Sequence, residues 1–425
     1  MVEQRISGPR SGPAPQPGPG HRPGSVIIVG AGIIGLTTAW ELLEAGWDVT
    51  VCDPEPMSGA SFAAAGMLAP ASEVVWDQPT LYGLMVSAAQ LWPLLAGRVA
   101  AGVGRPVGHL TTETLVCAGD AADRRALADL TGLQRRLGMD LEEISSATAR
   151  QLEPALGPGV VGAVRIPDDH QVDPRRIMAA ILEVLEQRGT VVRQQVSGLR
   201  RSGEARDSAD APDSADARDN ADAGEARDGR RVVGVRLADG TTLAADEVLV
   251  AAGLASGGLD GLPEGLDLPL RPVWGDILRV RVPERLRPLV TRTVRGLVHG
   301  VPVYLVPRED GTLVIGATSR EDGLAGPSVG GVHQLLRDAQ RLVPGVLECE
   351  VLEVTARARP GTPDDVPLIG RVAPGLTVST GYFRHGILLS ALGARLGADL
   401  VAGREIEPET AAAVDPRRFA RVMAR

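Results

Sequence analysis

The first sustained apolar run is Val26-Ile-Ile-Val29, β-branched throughout and with no polar residue to turn outward, the pattern of a strand buried on both faces. Gly30-Ala-Gly-Ile-Ile-Gly35 follows it directly. Apolar positions then return with helical spacing from about Ile33 to Ala45 and stop at Gly46, and Trp47 to Val51 reads as a second strand, closing on Cys52-Asp53 before Pro54. Strand, glycine turn, helix and strand in that order predict a βαβ unit.

Leu81 to Val103 reads as mostly helical, with a kink or break expected at Pro93, and Thr114 to Cys117 as a short strand. Ala121 to Leu137 and Pro174 to Gln187 predict amphipathic helices, the second opened by an Asp173 N-cap with Pro174 at the first helical position. Between Arg201 and Arg231 the pattern vanishes. Acids recur every third residue from Glu204 to Asp228 with no large apolar side chain among them, which predicts a disordered insertion over 202–230. Its flanks, Val191-Val192 and Arg231 to Leu237, are strand-like, so the insertion is expected to expand a surface hairpin, with Asp239-Gly240 turning into a further strand at Thr242.

Glu247 to Val250 is again a buried strand, running into a turn at Gly253. Short strands at Ile277 to Val282, Val303 to Val306 and Thr312 to Ile315 predict an antiparallel sheet. A helix from about Val332 to Leu342 and a strand from Glu348 to Arg359 come next. Thr377 to Thr380, Gly381 to Gly386 and a helix from about Ile387 to Leu400 then repeat the strand, glycine loop and helix order.

The whole predicts an α/β fold: a Rossmann-like nucleotide domain interleaved with an α+β substrate domain built on an antiparallel sheet. The nucleotide domain takes 25–80, 171–265 and 350–405, and the substrate domain 81–170 and 266–349. Residues 1–24, rich in Gly and Pro, and 406–425 are set apart as tails.

Length agrees, since 425 residues exceed what one core usually organises. All 44 basic residues are Arg, so no Schiff-base lysine and no phosphate-binding lysine of a P-loop exists. A net charge of −9 without an Arg run argues against a nucleic-acid partner. Three separated cysteines fit neither a disulfide framework nor a metal site, which implies a reducing compartment and a cytoplasmic protein. The apolar stretch from Ser25 to Trp40 is too short and too interrupted by glycine to span a membrane.

Gly30, Gly32 and Gly35 permit a tight turn, close approach of backbone to a pyrophosphate and close packing of helix on strand. Ile33 and Ile34 begin the helix whose N-terminus attracts the anion. Asp53 lies 18 residues after Gly35, where a carboxylate would bind a ribose diol and repel a 2′-phosphate, favouring FAD or NAD over NADP.

Further segments resemble the D-amino-acid oxidase family of FAD-dependent amine oxidases, and within it the glycine oxidases of thiamine biosynthesis. They are Ala63-Ala-Ala-Gly-Met-Leu-Ala-Pro70, Tyr304-Leu-Val-Pro-Arg308, Gly316-Ala-Thr318, Arg359-Pro-Gly-Thr362, Ile369-Gly-Arg371 and Gly381-Tyr-Phe-Arg-His-Gly-Ile-Leu-Leu389. The resemblance covers about Ser25 to Val401 and implies FAD as cofactor. It places Ser61, Gly66, Met67, Gly381, Arg384, Gly386, Ile387 and Leu388 beside the flavin, with His385 among them as a spectator, and Val196 and Gly253 near the adenosine half. Arg359 matches the arginine that receives the substrate carboxylate, a role suited to a planar, always charged guanidinium, with Arg357 as a competitor on the same strand face. Tyr304 matches a tyrosine of the substrate pocket; the other reading of a strand tyrosine is simple packing.

The implied reaction is oxidative deamination of glycine or another small amino acid, with hydride leaving Cα for flavin N5 and O2 reduced to H2O2. The imine would hydrolyse to glyoxylate or feed thiazole synthesis. Ser319 and Pro302 depart from the glycine oxidase pattern, so a D-amino-acid or sarcosine oxidase or dehydrogenase remains an alternative, as does a flavin-binding protein without turnover. The absence of Cys near Arg359 implies noncovalent flavin. A homo-oligomer is left open.

Overall fold

A computed structural model describes residues 23–203 and 230–419. Of the tails expected over 1–24 and 406–425, residues 1–22 and 420–425 lie outside the described residues, and so does 204–229 of the insertion expected over 202–230.

The nucleotide sheet has six strands in the order Leu368–Ala373, Leu376–Thr380, Glu247–Val250, Ser25–Val29, Asp48–Cys52 and Thr190–Val192. All neighbours are parallel except the hairpin formed by the first two. Val29 pairs with both Cys52 and Val250, so the glycine turn, Asp53 and Ala251 leave the sheet together at its carboxyl edge. Open α/β sheets bind ligands at that edge. The helices Ile33–Glu44, Pro174–Arg188 and Gly386–Val401 cover one face, and the strands Val196–Arg201 and Val232–Leu237 help to cover the other.

The second sheet has eight strands in the order Glu350–Gly361, Arg271–Arg281, Thr312–Gly316, Val301–Pro307, Thr293–Val298, Thr114–Ala118, Gly162–Ile166 and Glu142–Ile144. It is antiparallel but for one parallel pair, Thr293–Val298 with Thr114–Ala118. The helix Val329–Leu342 packs its Leu335, Ala339 and Leu342 on this sheet's core.

Four expectations are corrected. The helix Pro79–Val103 runs through Pro93, whose ring faces solvent, while Leu81, Met85, Trp92 and Val99 are buried in the nucleotide core. Trp92 also donates its indole N–H to the Leu388 carbonyl at 2.8 Å. Residues 81–103 therefore belong with the nucleotide helices, and burial of their inner face accounts for the one described helix long and apolar enough to cross a membrane. Second, Glu350–Gly361 is the edge strand of the eight-stranded sheet, paired with Arg271–Arg281. Third, Val191 and Val192 extend the nucleotide sheet, and the hairpin partner of Val232–Leu237 is Val196–Arg201, closed by the Ser202 amide on the Arg231 carbonyl at 2.8 Å. Fourth, the C-terminal segment holds a helix, Pro408–Val414, with Val414 fully buried, and Arg418 clasps Asp364 at 2.8 Å.

Candidate active site

The fingerprint is built by close approach. Gly30 has φ +104°, and a side chain there would strike the Ala251 carbonyl oxygen at 2.5 Å; at Gly35 a Cβ would lie 1.9 Å from the Gly30 carbonyl oxygen. Only glycine fits at either place. The helix begins after Gly32 with no acid in its first turn and with Ser61 Oγ accepting from the Ile33 amide at 3.1 Å; Ile34 follows in the same turn. Asp53 accepts from the Ala31 amide at 2.7 Å and the Glu55 amide at 2.8 Å, which fixes its carboxylate against the turn.

Gly253, at φ +58°, has nothing within 4 Å of the place a Cβ would take, and Thr380 Oγ donates to its carbonyl at 2.9 Å. Val196 is buried in the apolar cluster shared with Val29 and Cys52. A second helix N-terminus, at Gly386-Ile387-Leu388, likewise has no acid in its first turn, and Gly381 at φ +76° leads into it. Two un-neutralised helix N-termini and an open glycine edge fit a pyrophosphate and a flat ring system, so the residues present suit FAD.

The loop between the second strand and Gly66 is strapped by arginines. Arg357 Nε donates to the Ser58 carbonyl at 2.9 Å, Arg175 Nε to Phe62 at 2.9 Å, and Arg279 Nη2 to Phe62 and Ala64 at 3.3 Å each, while Arg308 bonds the Ala65 carbonyl. The Arg175 guanidinium also stacks 3.5 Å over the Phe62 ring. Gly66, at φ +78°, has room for no side chain, since a Cβ would meet the Val172 carbonyl oxygen at 1.9 Å.

Across from this loop, the Arg359 guanidinium lies flat on Gly275, where a Cβ would fall within 2.3–2.5 Å of its terminal atoms. Its Nη1 donates to the Thr318 carbonyl at 3.2 Å. Tyr304 stands over Gly316, and a Cβ there would lie 2.5 Å from the phenol oxygen. Burial lowers the Arg359 pKa and raises that of Tyr304, and the two groups act electrostatically on each other. Arg357 and Arg359 thus part company: the first ties down the Ser58 loop, the second faces Tyr304.

The centre of the site is a residue that sequence reasoning passed over. Glu73 forms ion pairs with Arg295 and with Arg384, whose Nε lies at 3.7 Å, and the His385 Nδ1 lies 3.9 Å away. Burial opposes its ionisation, but the guanidiniums of Arg295 and Arg384 outweigh that and hold the carboxyl at about 2. Arg295 also reaches the Met67 sulfur at 3.6 Å. Burial, then the neighbouring Arg384, pushes His385 down to about 3, so its imidazole is neutral. Arg384 Nε donates to His385 Nε2 at 3.1 Å, which assigns the ring proton to Nδ1, toward Glu73. Asp169, pushed up to about 6 by burial, accepts from the Ala71 and Ser72 amides at 3.1 and 2.9 Å and so shapes the turn that carries Glu73. The signal for Glu73 was a single acid in the otherwise uncharged run after Met67; Arg295 had none, because only strand register sets it opposite Tyr304.

Met67, Tyr304, Arg359, Arg384 and His385 therefore gather around Glu73, and Gly30 to Gly35, Asp53 and Ser61 gather at the edge of the parallel sheet. Val196 and Gly253 join neither group directly: the first starts a hairpin strand, and the second opens the turn after Glu247–Val250.

Residues 25–400 match the family profile of FAD dependent oxidoreductases, DAO. A bifunctional ThiO/ThiG protein of Nostoc sp. is 29% identical over 388 residues, 90% of this chain and 53% of that protein, so the chain spans about half the length of that relative. A glycine oxidase of Geobacillus kaustophilus is 31% identical over 389 residues, 89% of this chain and 93% of the relative. The crystal structure of glycine oxidase from Geobacillus kaustophilus superposes with a TM-score of 0.76 at 30% identity, covering 91% of this chain and 96% of that one. With the profile matched over most of its length, and with a fold and a glycine-lined edge suited to the same cofactor, this chain belongs to the family of FAD dependent oxidoreductases.

Proposed function

We propose that the chain catalyses oxidative deamination of a small amino acid, glycine foremost, with noncovalently held FAD. The observation that carries this reading is the Arg359 guanidinium seated on Gly275 beside Tyr304, a half-buried cation with one hydrogen bond among the described residues and an adjacent phenol. It is supported by the names of the relatives, glycine oxidase and ThiO/ThiG, over about nine-tenths of the chain.

Arg359 receives the substrate carboxylate in a two-pronged fit, strengthened because the site is desolvated. Tyr304 donates its hydroxyl to the same carboxylate and sets the angle at which Cα meets the cofactor. Glu73 keeps Arg295 and Arg384 in place and offsets their charge, so the pocket is cationic enough for one carboxylate without repelling an amine. His385, neutral throughout the working pH range, moves no proton. When bound, FAD supplies the two-electron oxidation of the Cα–N bond and passes the electrons to O2, giving H2O2. The imine is released to water, giving glyoxylate and ammonia, or to thiazole synthesis.

Anaerobic mixing with glycine, sarcosine, D-alanine and D-proline tests the reading. Bleaching of the flavin by glycine, with H2O2 formed on admitting air, is the expected result. Faster bleaching by sarcosine or a D-amino acid would reassign the substrate, which Ser319 and Pro302 make a real contest. Dye reduction without H2O2 would mark a dehydrogenase, and a spectrum indifferent to every amine would mark a flavoprotein without amine turnover.

A further inference from the structure

Asp276 is fully buried in the middle of the strand Arg271–Arg281, one residue from the glycine on which Arg359 rests. Such a carboxylate is expensive unless paired, and this one is paired many times over. Arg320 grips it with Nε on Oδ2 at 3.0 Å and Nη2 on Oδ1 at 2.9 Å. The Thr318 hydroxyl donates to Oδ2 at 2.9 Å and accepts from the Asp276 amide at 2.8 Å. Ser328 adds its hydroxyl at 2.9 Å and its amide at 3.2 Å.

All of these partners lie in one segment, Thr318 to Ser328, between the strand Thr312–Gly316 and the helix Val329–Leu342. Backbone bonds join the same segment to the strand at two further points: the Thr318 amide donates to the Asp276 carbonyl at 3.3 Å, and Trp274 and Arg320 exchange both amide-to-carbonyl bonds at 2.8 Å. That segment also carries the carbonyl, on Thr318, to which the Arg359 guanidinium donates. Asp276 therefore fixes Thr318 from its hydroxyl side, and Thr318 fixes Arg359 from its carbonyl side.

We propose that Asp276, acting through Thr318 and locked by Arg320, is a positioning residue for the carboxylate-binding guanidinium of Arg359. The inference rests on the reading of Arg359 given above. Its logic is geometric: a two-pronged contact tolerates only small errors of angle, and a charged side chain holds such an angle only if its own acceptor is held. Were Asp276 merely structural, its loss would weaken the fold and the cofactor site without singling out carboxylate recognition.

The experiment uses the FAD-loaded full chain and two readouts, the KM and kcat for glycine and the inhibition constant of acetate, a carboxylate without an amine. Asp276→Asn keeps the shape and removes the charge; Thr318→Val removes only the hydroxyl, with Thr318→Ser as the conservative rescue. The expected result for Thr318→Val is a rise of roughly 10-fold in both the glycine KM and the acetate constant, with kcat, FAD content and melting temperature little changed, and recovery in Thr318→Ser. Asp276→Asn is expected to do the same more strongly; should it fail to fold once Arg320 keeps only the exposed Asp322 as a charged partner, the Thr318 pair carries the test. Arg359→Ala run alongside separates the two claims. If it leaves the acetate constant unchanged, the anchor reading itself falls. If it weakens acetate but Thr318→Val and Asp276→Asn do not, or if they lower kcat and FAD content without touching acetate, the positioning role is overturned.

Discussion

At the scale of single residues, the two strand arginines give the sharpest contrast. Arg359→Ala should cut kcat/KM for glycine by roughly 30-fold to several thousand-fold, about 2–5 kcal/mol, because a carboxylate is left unpaired in a desolvated site. Lys at 359 should rescue only partly, since a point charge lacks the planar fork. Arg357→Ala should instead weaken FAD binding, because its partner is the Ser58 carbonyl and not the pocket; steady-state kinetics and flavin titration of the two variants decide this, and the reverse pattern would shift the anchor by one pleat. His385 makes a prediction about pH. Its folded pKa of about 3 lies below the ordinary 6.5, so the unfolded chain takes up the proton first and acid favours unfolding. Its share of stability is complete above pH 6.5 and drains as pH falls through that value toward 3, a loss on the order of 3 kcal/mol by pH 4. Melting curves of wild type and His385→Gln should converge in acid, and parallel curves would show that His385 is not the titrating group. These residues were legible because each lies in a local motif. Glu73 and Arg295 were not, for their ion pair spans 222 positions and exists only after both sheets have formed.

Elements divide along the same line. Strands and helices announced themselves through local periodicity: the expected helices at 33–45, 121–137, 174–187 and 387–400 each fall within a residue or two of those observed. What periodicity cannot state is which sheet an element joins. Glu350–Gly361 reads as a strand from its β-branched residues, but its place beside Arg271–Arg281 is set by long-range pairing. The helix Pro79–Val103 survives Pro93 because that residue lies on the solvent face, while the buried face anchors the turn on either side. The hairpin Val196–Arg201 with Val232–Leu237 carries its own prediction. It is already closed by the Ser202–Arg231 bond, so excising Glu204 through Asp228 and bridging the ends with a short turn should alter loop-closure entropy by only about 1 kcal/mol. FAD content and turnover should be unchanged, and the net charge should move from −9 to about −3, since nine acids and three arginines leave together. Loss of FAD on excision would mean that the excised residues pack against the cofactor edge.

For the whole molecule, the chain crosses between the two sheets repeatedly, and the candidate site lies on the seam. The cofactor-side groups, Gly30 to Gly35 and Ser61, come from the parallel sheet and the loop after it; Tyr304 and Arg359 come from the eight-stranded sheet; and the straps between them, Arg279 on Phe62 and Ala64 and Arg308 on Ala65, reach from one unit to the other. Separating the two units would break those guanidinium-to-carbonyl bonds together and expose the seam, a cost of the kind that makes unfolding cooperative. A ligand held at the seam should therefore stabilise both units equally. At 1,000 times its Kd, FAD should add about 4 kcal/mol to the unfolding free energy by mass action. Hydrogen exchange can read that increment separately in the slowest amides of Ser25–Val29, in the nucleotide sheet, and of Arg271–Arg281, in the other. Stripping the flavin should lower protection in both strands by the same factor, close to 1,000-fold, and readdition should restore both. A drop confined to Ser25–Val29 would show that the strands of the substrate sheet hold together without the cofactor, and that the arginine straps join two units able to open independently.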